Sequence, residues 1–294
     1  MPANKKGASN KIKLFGIIII GALIISYGSI LLSPNNAVPS PNPANFREEP
    51  WMAFIPENAS EFRFINITSL YSFPGIITNN TLLSVNQPEF SINISDLNYD
   101  VDIITSNGGL VSVLGMNSSL IDYIGTTLAF SNLTVLDYNG VPLFQVFLGN
   151  TTSPTEAWMS IHNGALLYCL GNNIAINSLK SVIDSIASNF FKNDSYKIGY
   201  LIASNNEICY AFSYYSESTN VFEIIWDMRA AYGVTEITKR DVFFFTSSDS
   251  ARSKYSKVVS ELIPKAASAY LGDKFILSVQ KFASQDIRTV LMNI

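Results

Sequence analysis

Charge is scarce in this chain. Asp, Glu, Lys and Arg together make up 14% of its 294 residues, against about 25% in an ordinary soluble domain. No cationic run or patch stands out, which excludes nucleic acid as a partner, because backbone binding needs clustered Lys and Arg. Histidine occurs once, as His162. A Ser–His–acid triad would have to be built on that one ring, at the edge of a turn, with partners brought from elsewhere. Cysteine occurs twice, at Cys169 and Cys209, and neither the spacing nor the neighbouring residues make a zinc site. There is no Gly-x-Ser-x-Gly elbow, no Asp-Thr-Gly or Asp-Ser-Gly, no phosphate-cradling glycine loop and no haem or iron–sulfur spacing. No cofactor, no metal and no catalytic residue is therefore expected.

What is present begins at the N-terminus. Lys5, Lys6, Lys11 and Lys13 precede an unbroken apolar run from Leu14 to Leu32. As a helix rising about 1.5 Å per residue, that run is roughly 28 Å long, enough to span a bilayer. The lysines hold the N-terminus in the cytoplasm and place the rest outside. A cleavable signal peptide, cut near Ala37-Val38-Pro39-Ser40, is the rival reading. Its apolar core would run about 7–15 residues, so a retained signal-anchor fits better. Residues 1–13 are then cytoplasmic, 14–32 the membrane span and 33–45 a Pro/Asn-rich linker. Residues 46–190 and 191–294 form the two halves of an extracytoplasmic region. Ala22, Ser26, Ser29 and Ser33 make a small-residue stripe that suits close packing on another membrane helix.

With the four anchor lysines set aside, 15 basic residues face 23 acidic ones, so the exterior part carries a net charge of about −8 when its carboxylates are ionised. Asn58, Asn66, Asn79, Asn93, Asn117, Asn132, Asn150 and Asn193 each open an Asn-X-Ser/Thr sequon and are candidates for glycosylation. Outside the cell, Cys169 and Cys209 are a candidate disulfide, closing a loop of roughly 40 residues worth about 4 kcal/mol in the chain-entropy account. Two separate buried thiols are the alternative.

Turn chemistry organises the exterior part. Asn107-Gly108, Asn139-Gly140 and Asn163-Gly164 each sit between β-prone runs, the strongest short hairpin signal. Residues 198–204 and 207–214 around Asn205-Asn206 read as a fourth hairpin. Helices are expected from 118 to 128, from 177 to 188, and from Asp249 to Ile263 before Pro264, on apolar residues three and four apart. Segments 221–228, 234–238, 242–246 and 275–279 read as strands. The fold class expected is α+β, with antiparallel sheets and interspersed helices after an N-terminal transmembrane helix.

Few charges, abundant Asn, Ser and Tyr, dense sequons and an N-terminal anchor together resemble surface proteins of thermoacidophilic archaea. That likeness implies an exterior where carboxylates are largely neutral and amides and glycans supply solubility. Phe54-Ile55-Pro56, then Asn66-Ile67-Thr68-Ser69-Leu70, the Asn107-Gly108 hairpin, the helix at 118–128, Tyr138-Asn139-Gly140 and the helix at 177–188 are similar in layout to membrane-anchored surface proteins of bacteria and archaea over roughly residues 54–190. The likeness implies a fold and no catalytic motif.

Two side-chain groups invite chemistry. Asp96, Asn98, Asp100 and Asp102 alternate, so in a strand they face one side. They suit calcium, an acid pair for hydrolysis, or simply a solvated face. Tyr214 and Tyr215 would offer a binding surface if exposed, and Phe243-Phe244-Phe245 reads as core. The function expected is a single-pass, glycosylated, non-enzymatic binding or structural module of the cell envelope. Its partners would be the bilayer through residues 14–32 and an envelope protein, a glycan or a membrane complex. An accessory subunit of a membrane complex and an extracytoplasmic carboxylate-dependent hydrolase are the alternatives.

Overall fold

The computed structural model describes residues 39–71, 80–149, 154–171, 173–204, 208–214, 225–232 and 236–283. The span expected at 14–32, its small-residue stripe, Asn79, Asn150 and Tyr215 lie outside these residues. Among the described residues no helix is long and apolar enough to cross a membrane.

The described chain is α+β, and its strands join one antiparallel sheet. They are β1 (Glu61–Asn66), β2 (Thr81–Gln87), β3 (Glu89–Asn93), β4 (Leu97–Ile104), β5 (Leu110–Met116), β6 (Val135–Tyr138), β7 (Val141–Leu148), β8 (Thr155–His162), β9 (Ala165–Leu170), β10 (Ile208–Tyr214), β11 (Ile225–Tyr232), β12 (Glu236–Phe244), β13 (Ser268–Leu271) and β14 (Phe275–Ala283). Their order is β13-β14-β12-β11-β10-β1-β4-β5-β9-β8-β7-β2-β3, with β6 paired to β7. The helices are α1 (Ile67–Leu70), α2 (Ser118–Phe130), α3 (Asn173–Asp184), α4 (Asp194–Ala203) and α5 (Ser248–Glu261).

Helix α2 explains the shape of one half. Its Ile121, Ile124 and Leu128 recur at helical spacing and are buried together with Leu83 of β2, Ile92 of β3, Leu114 of β5, Val146 of β7, Met159 of β8 and Leu166 of β9. One helix reaches all six strands because they curl around it as a half-barrel with α2 in its trough. Asn117 caps α2 by accepting the Leu120 N–H at 2.9 Å.

The opposite face of the sheet carries an aromatic layer. Two short 3₁₀ turns, Pro43–Asn45 and Pro50–Phe54, lay the N-terminal segment across it. Trp51 stacks on Phe64 of β1 with centroids 4.1 Å apart, and Phe46 stacks on Phe191 at 5.3 Å. The Glu49 carboxylate anchors this strap, accepting from Trp51 Nε1 at 2.9 Å and from the Tyr200 hydroxyl of α4. The last residues of the expected linker thus belong to the folded body. A smaller core joins Phe243, Phe245, Leu271 and Ile276 to Ala251 and Val258 of α5.

Several elements differ from expectation. Residues 198–203 are helical, because Asn193 caps α4 and accepts the Ser195 N–H at 2.9 Å; that helix buries Tyr200, Ile202 and Ala203. The helix expected at 177–188 starts at Asn173 and ends at Asp184, so Ser178 is interior to it and not beside a cap. Segments 236–238 and 242–244 are parts of one strand, β12. The expected Cys169–Cys209 bridge does not form, because Cys169 is a free, buried thiol. Strands β9 and β10 are separated by β5, β4 and β1. That is about 19 Å along the sheet at about 4.8 Å per strand, far beyond the Cα separation of about 4.4–6.8 Å that a disulfide tolerates.

Candidate functional site

Register assembles the site. Arg63 of β1 pairs with Asp102 of β4, Asp102 with Ser112 of β5, and Ser112 with Tyr168 of β9. Side chains directly opposite in an antiparallel sheet share a face, so these four form one polar row across the trough. The Arg63 guanidinium is ion-paired to Asp102 Oδ2. Ser112 Oγ donates to Asp102 Oδ1 at 2.6 Å, and Tyr168 stands directly opposite Ser112 on β9.

One step deeper, the same strands place Ile65, Asp100, Leu114 and Leu166 in register. Asp100 thus stands in an otherwise apolar row, and its Oδ1 is buried without a hydrogen-bond partner. Burial pushes the Asp100 carboxyl up to about 7; the negative charge of Asp102 adds to the rise and Arg63 opposes it. Burial of a charge without a dedicated partner favours the neutral acid.

Outside the polar row the trough is open and aliphatic. A cavity of about 310 Å³ lies between the β4–β5 turn, β9 and the start of α3, lined by Gly109, Leu110, Ser112, Tyr168, Leu170 and Ile174 among others. A second, of about 430 Å³, is lined by Leu82, Ser84, Leu148, Thr155 and again Tyr168 and Leu170. Leu110, Leu170 and Ile174 are each at least half exposed, an aliphatic rim around a polar floor. The β4–β5 turn at this rim is pinned to α3: Thr105 donates to Ser178 Oγ at 2.8 Å, and Ser178 donates to Asn107 Oδ1 at 2.7 Å.

The residues singled out in the sequence separate. Asp96 caps a short turn by accepting the Asn93 N–H at 2.9 Å, while Asp100 and Asp102 take the half-buried places described above. No three His, Cys, Asp or Glu side chains converge on a metal-sized site among the described residues. His162 pairs with Ala165, which is odd-numbered on β9 and so faces away from Tyr168 and Ser112; burial lowers its pKa. Ser112 therefore has an acid beside it but no imidazole. Burial pushes the Cys169 thiol up to about 12, which makes it a packing residue and not a nucleophile. Phe243, Phe244 and Phe245 are buried. Tyr214 lies on the described backbone of β10, but its side chain lies outside what is described.

The sequons divide by surroundings. Asn117, Asn132 and Asn193 are exposed, while Asn66 and Asn93 are half-buried. Asn58 is exposed, and its Nδ2 donates to Ser106 Oγ at 3.0 Å. Asn66, Asn117 and Asn193 cap helices through Oδ1, a task that leaves Nδ2 unspent. Sequence reasoning missed Arg63, Ser112 and Tyr168. The only trace is alternation in Glu61-Phe62-Arg63-Phe64, where the apolar residues mark the buried face and Arg63 the other.

Comparison with protein-family models, with curated proteins and with solved structures returns no match.

Proposed function

We propose that the chain is a single-pass, membrane-anchored module of the cell envelope, with its α+β body outside and a binding or structural role in place of an enzymatic one. The apolar run from Leu14 to Leu32 behind four lysines supports the anchor and its orientation. The state of the acid pair carries the non-enzymatic reading. Asp102 spends both oxygens on Arg63 and Ser112, and Asp100 is half-buried beside it with its Oδ1 shut off from solvent. A general acid or base must reach the proton it transfers with an uncommitted oxygen, and both oxygens of Asp102 are committed. The raised pKa of Asp100 is the one feature that favours the hydrolase reading.

The test is native electrophoresis of the protein extracted from its own membrane in mild detergent, with mass spectrometry on each band. A stoichiometric envelope partner is the expected result, and a membrane-enzyme partner would identify an accessory subunit instead. Turnover of a glycan or peptide substrate by the isolated protein, lost in Asp102→Asn, would overturn the reading in favour of the hydrolase.

A further inference from the structure

We propose that Asp100 and Asp102 hold one proton between them beside the single guanidinium of Arg63, so that the trough floor is charge-balanced in acid and loses stability once that proton leaves. The geometry requires unequal treatment of two carboxyls two residues apart on one strand face. Asp102 has an ionic partner and a hydroxyl donor. Asp100 has Ile65 on one side, Leu114 on the other, and an Oδ1 that no donor reaches. A neutral carboxyl tolerates such a place far better than a carboxylate does.

The groups facing the pair from the neighbouring elements do not change the balance. Strand β1 contributes Arg63 and Glu61, and Glu61 draws on the same cation. Strand β5 contributes Ser112 and Leu114, β9 contributes Tyr168 and Leu166, and α2 presents Ile121 and Ile124 to this core. Among the described side chains of these elements Arg63 is the one cation. Asp102 and Glu61 already draw on it, so an ionised Asp100 would add a charge with no counter-ion of its own among these described groups.

The sign follows from proton counting. Asp100 is protonated in the fold at pH values where the unfolded chain has lost that proton. Stability is therefore fully present below the ordinary aspartate value and falls as pH rises toward neutrality. His162 titrates in the same window with the opposite sense, because its lowered pKa stabilises the fold as pH rises.

The experiment follows thermal unfolding of the full chain in detergent from about pH 4 to about pH 9, for the wild type and Asp100→Asn. The wild-type Tm should drop by about 5–10 °C between about pH 5 and pH 8. Asp100→Asn should remove that drop and exceed the wild type at pH 8. A carbonyl-stretch infrared difference spectrum supplies the second readout. The wild type should show a protonated carboxyl at pH 6 that disappears above pH 8 and is missing in Asp100→Asn. A wild-type Tm that is flat or rises over this range, or no protonated carboxyl at pH 6, would overturn the proposal. If Asp100→Asn fails to fold, the wild-type infrared titration decides alone.

Discussion

Asp100 and Asp102 show how much a single residue's chemistry depends on the strand beside it. Both are aspartates on one face of β4, yet the row through Asp102 supplies Arg63 and Ser112, while the row through Asp100 supplies Ile65 and Leu114. The sequons follow the same logic, because what surrounds the amide decides its use. Asn117 and Asn132 are both exposed, but only Asn117 caps a helix. On the proposed envelope location, glycopeptide mass spectrometry of the protein from its native source should find sugar at Asn117, Asn132 and Asn193, and little at Asn58, Asn66 and Asn93. Asn117→Ala should also cost about 1 kcal/mol by urea unfolding, whereas Asn132→Ala should be within about 0.5 kcal/mol of wild type. Equal destabilisation by both variants would show that the cap is not made.

At the scale of elements, tight turns were the most legible feature. Asn139-Gly140 and Asn163-Gly164 both have positive φ at both positions, with Asn163 at 47° and Gly164 at 73°, the type I′ geometry that this dipeptide favours. Gly164→Ala should therefore cost about 1 kcal/mol or more, measured by urea unfolding. Asn107-Gly108 also joins two strands, but only Gly108 has positive φ, and the connection is a longer loop because Thr105 and Asn107 are committed to Ser178. Helix α2 was legible from periodicity and its Asn117 cap, and helix α5 from periodicity and the stop at Pro264; the Ser247 cap of α5 was not read. Strands β1, β2 and β3 were not, since no Asn-Gly pair punctuates them. Residues 198–203 were misread as a strand because their alternating aromatic and β-branched residues suit either structure, and the Asn193 cap that decides lies upstream. The polar row was half legible. Alternation put Asp100 and Asp102 on one face, but Arg63 and Tyr168 join them only through register between strands far apart in sequence.

For the whole molecule, the two expected halves turn out to share one sheet through the β1–β10 ladder, and the described residues from Pro39 to Ala283 belong to one compact unit. The strap at its N-terminal end is built into this body: Trp51 is 2% exposed and Met52 fully buried. Trp51→Ala should cost about 3–5 kcal/mol, read as a lower urea midpoint for the entire body. A second transition confined to the strap would show instead that it docks as an independent piece.

The place of β1 also governs how the body comes into being. This strand lies inside the sheet, and one of its neighbours, β10, supplies Tyr214 opposite Glu61, about 150 residues later in synthesis. Until that stretch arrives, β1 can pair with β4 alone and shows a bare row of amides on its other side, the kind of edge that recruits foreign strands. Closure so late, between segments so distant, makes for slow and aggregation-exposed assembly.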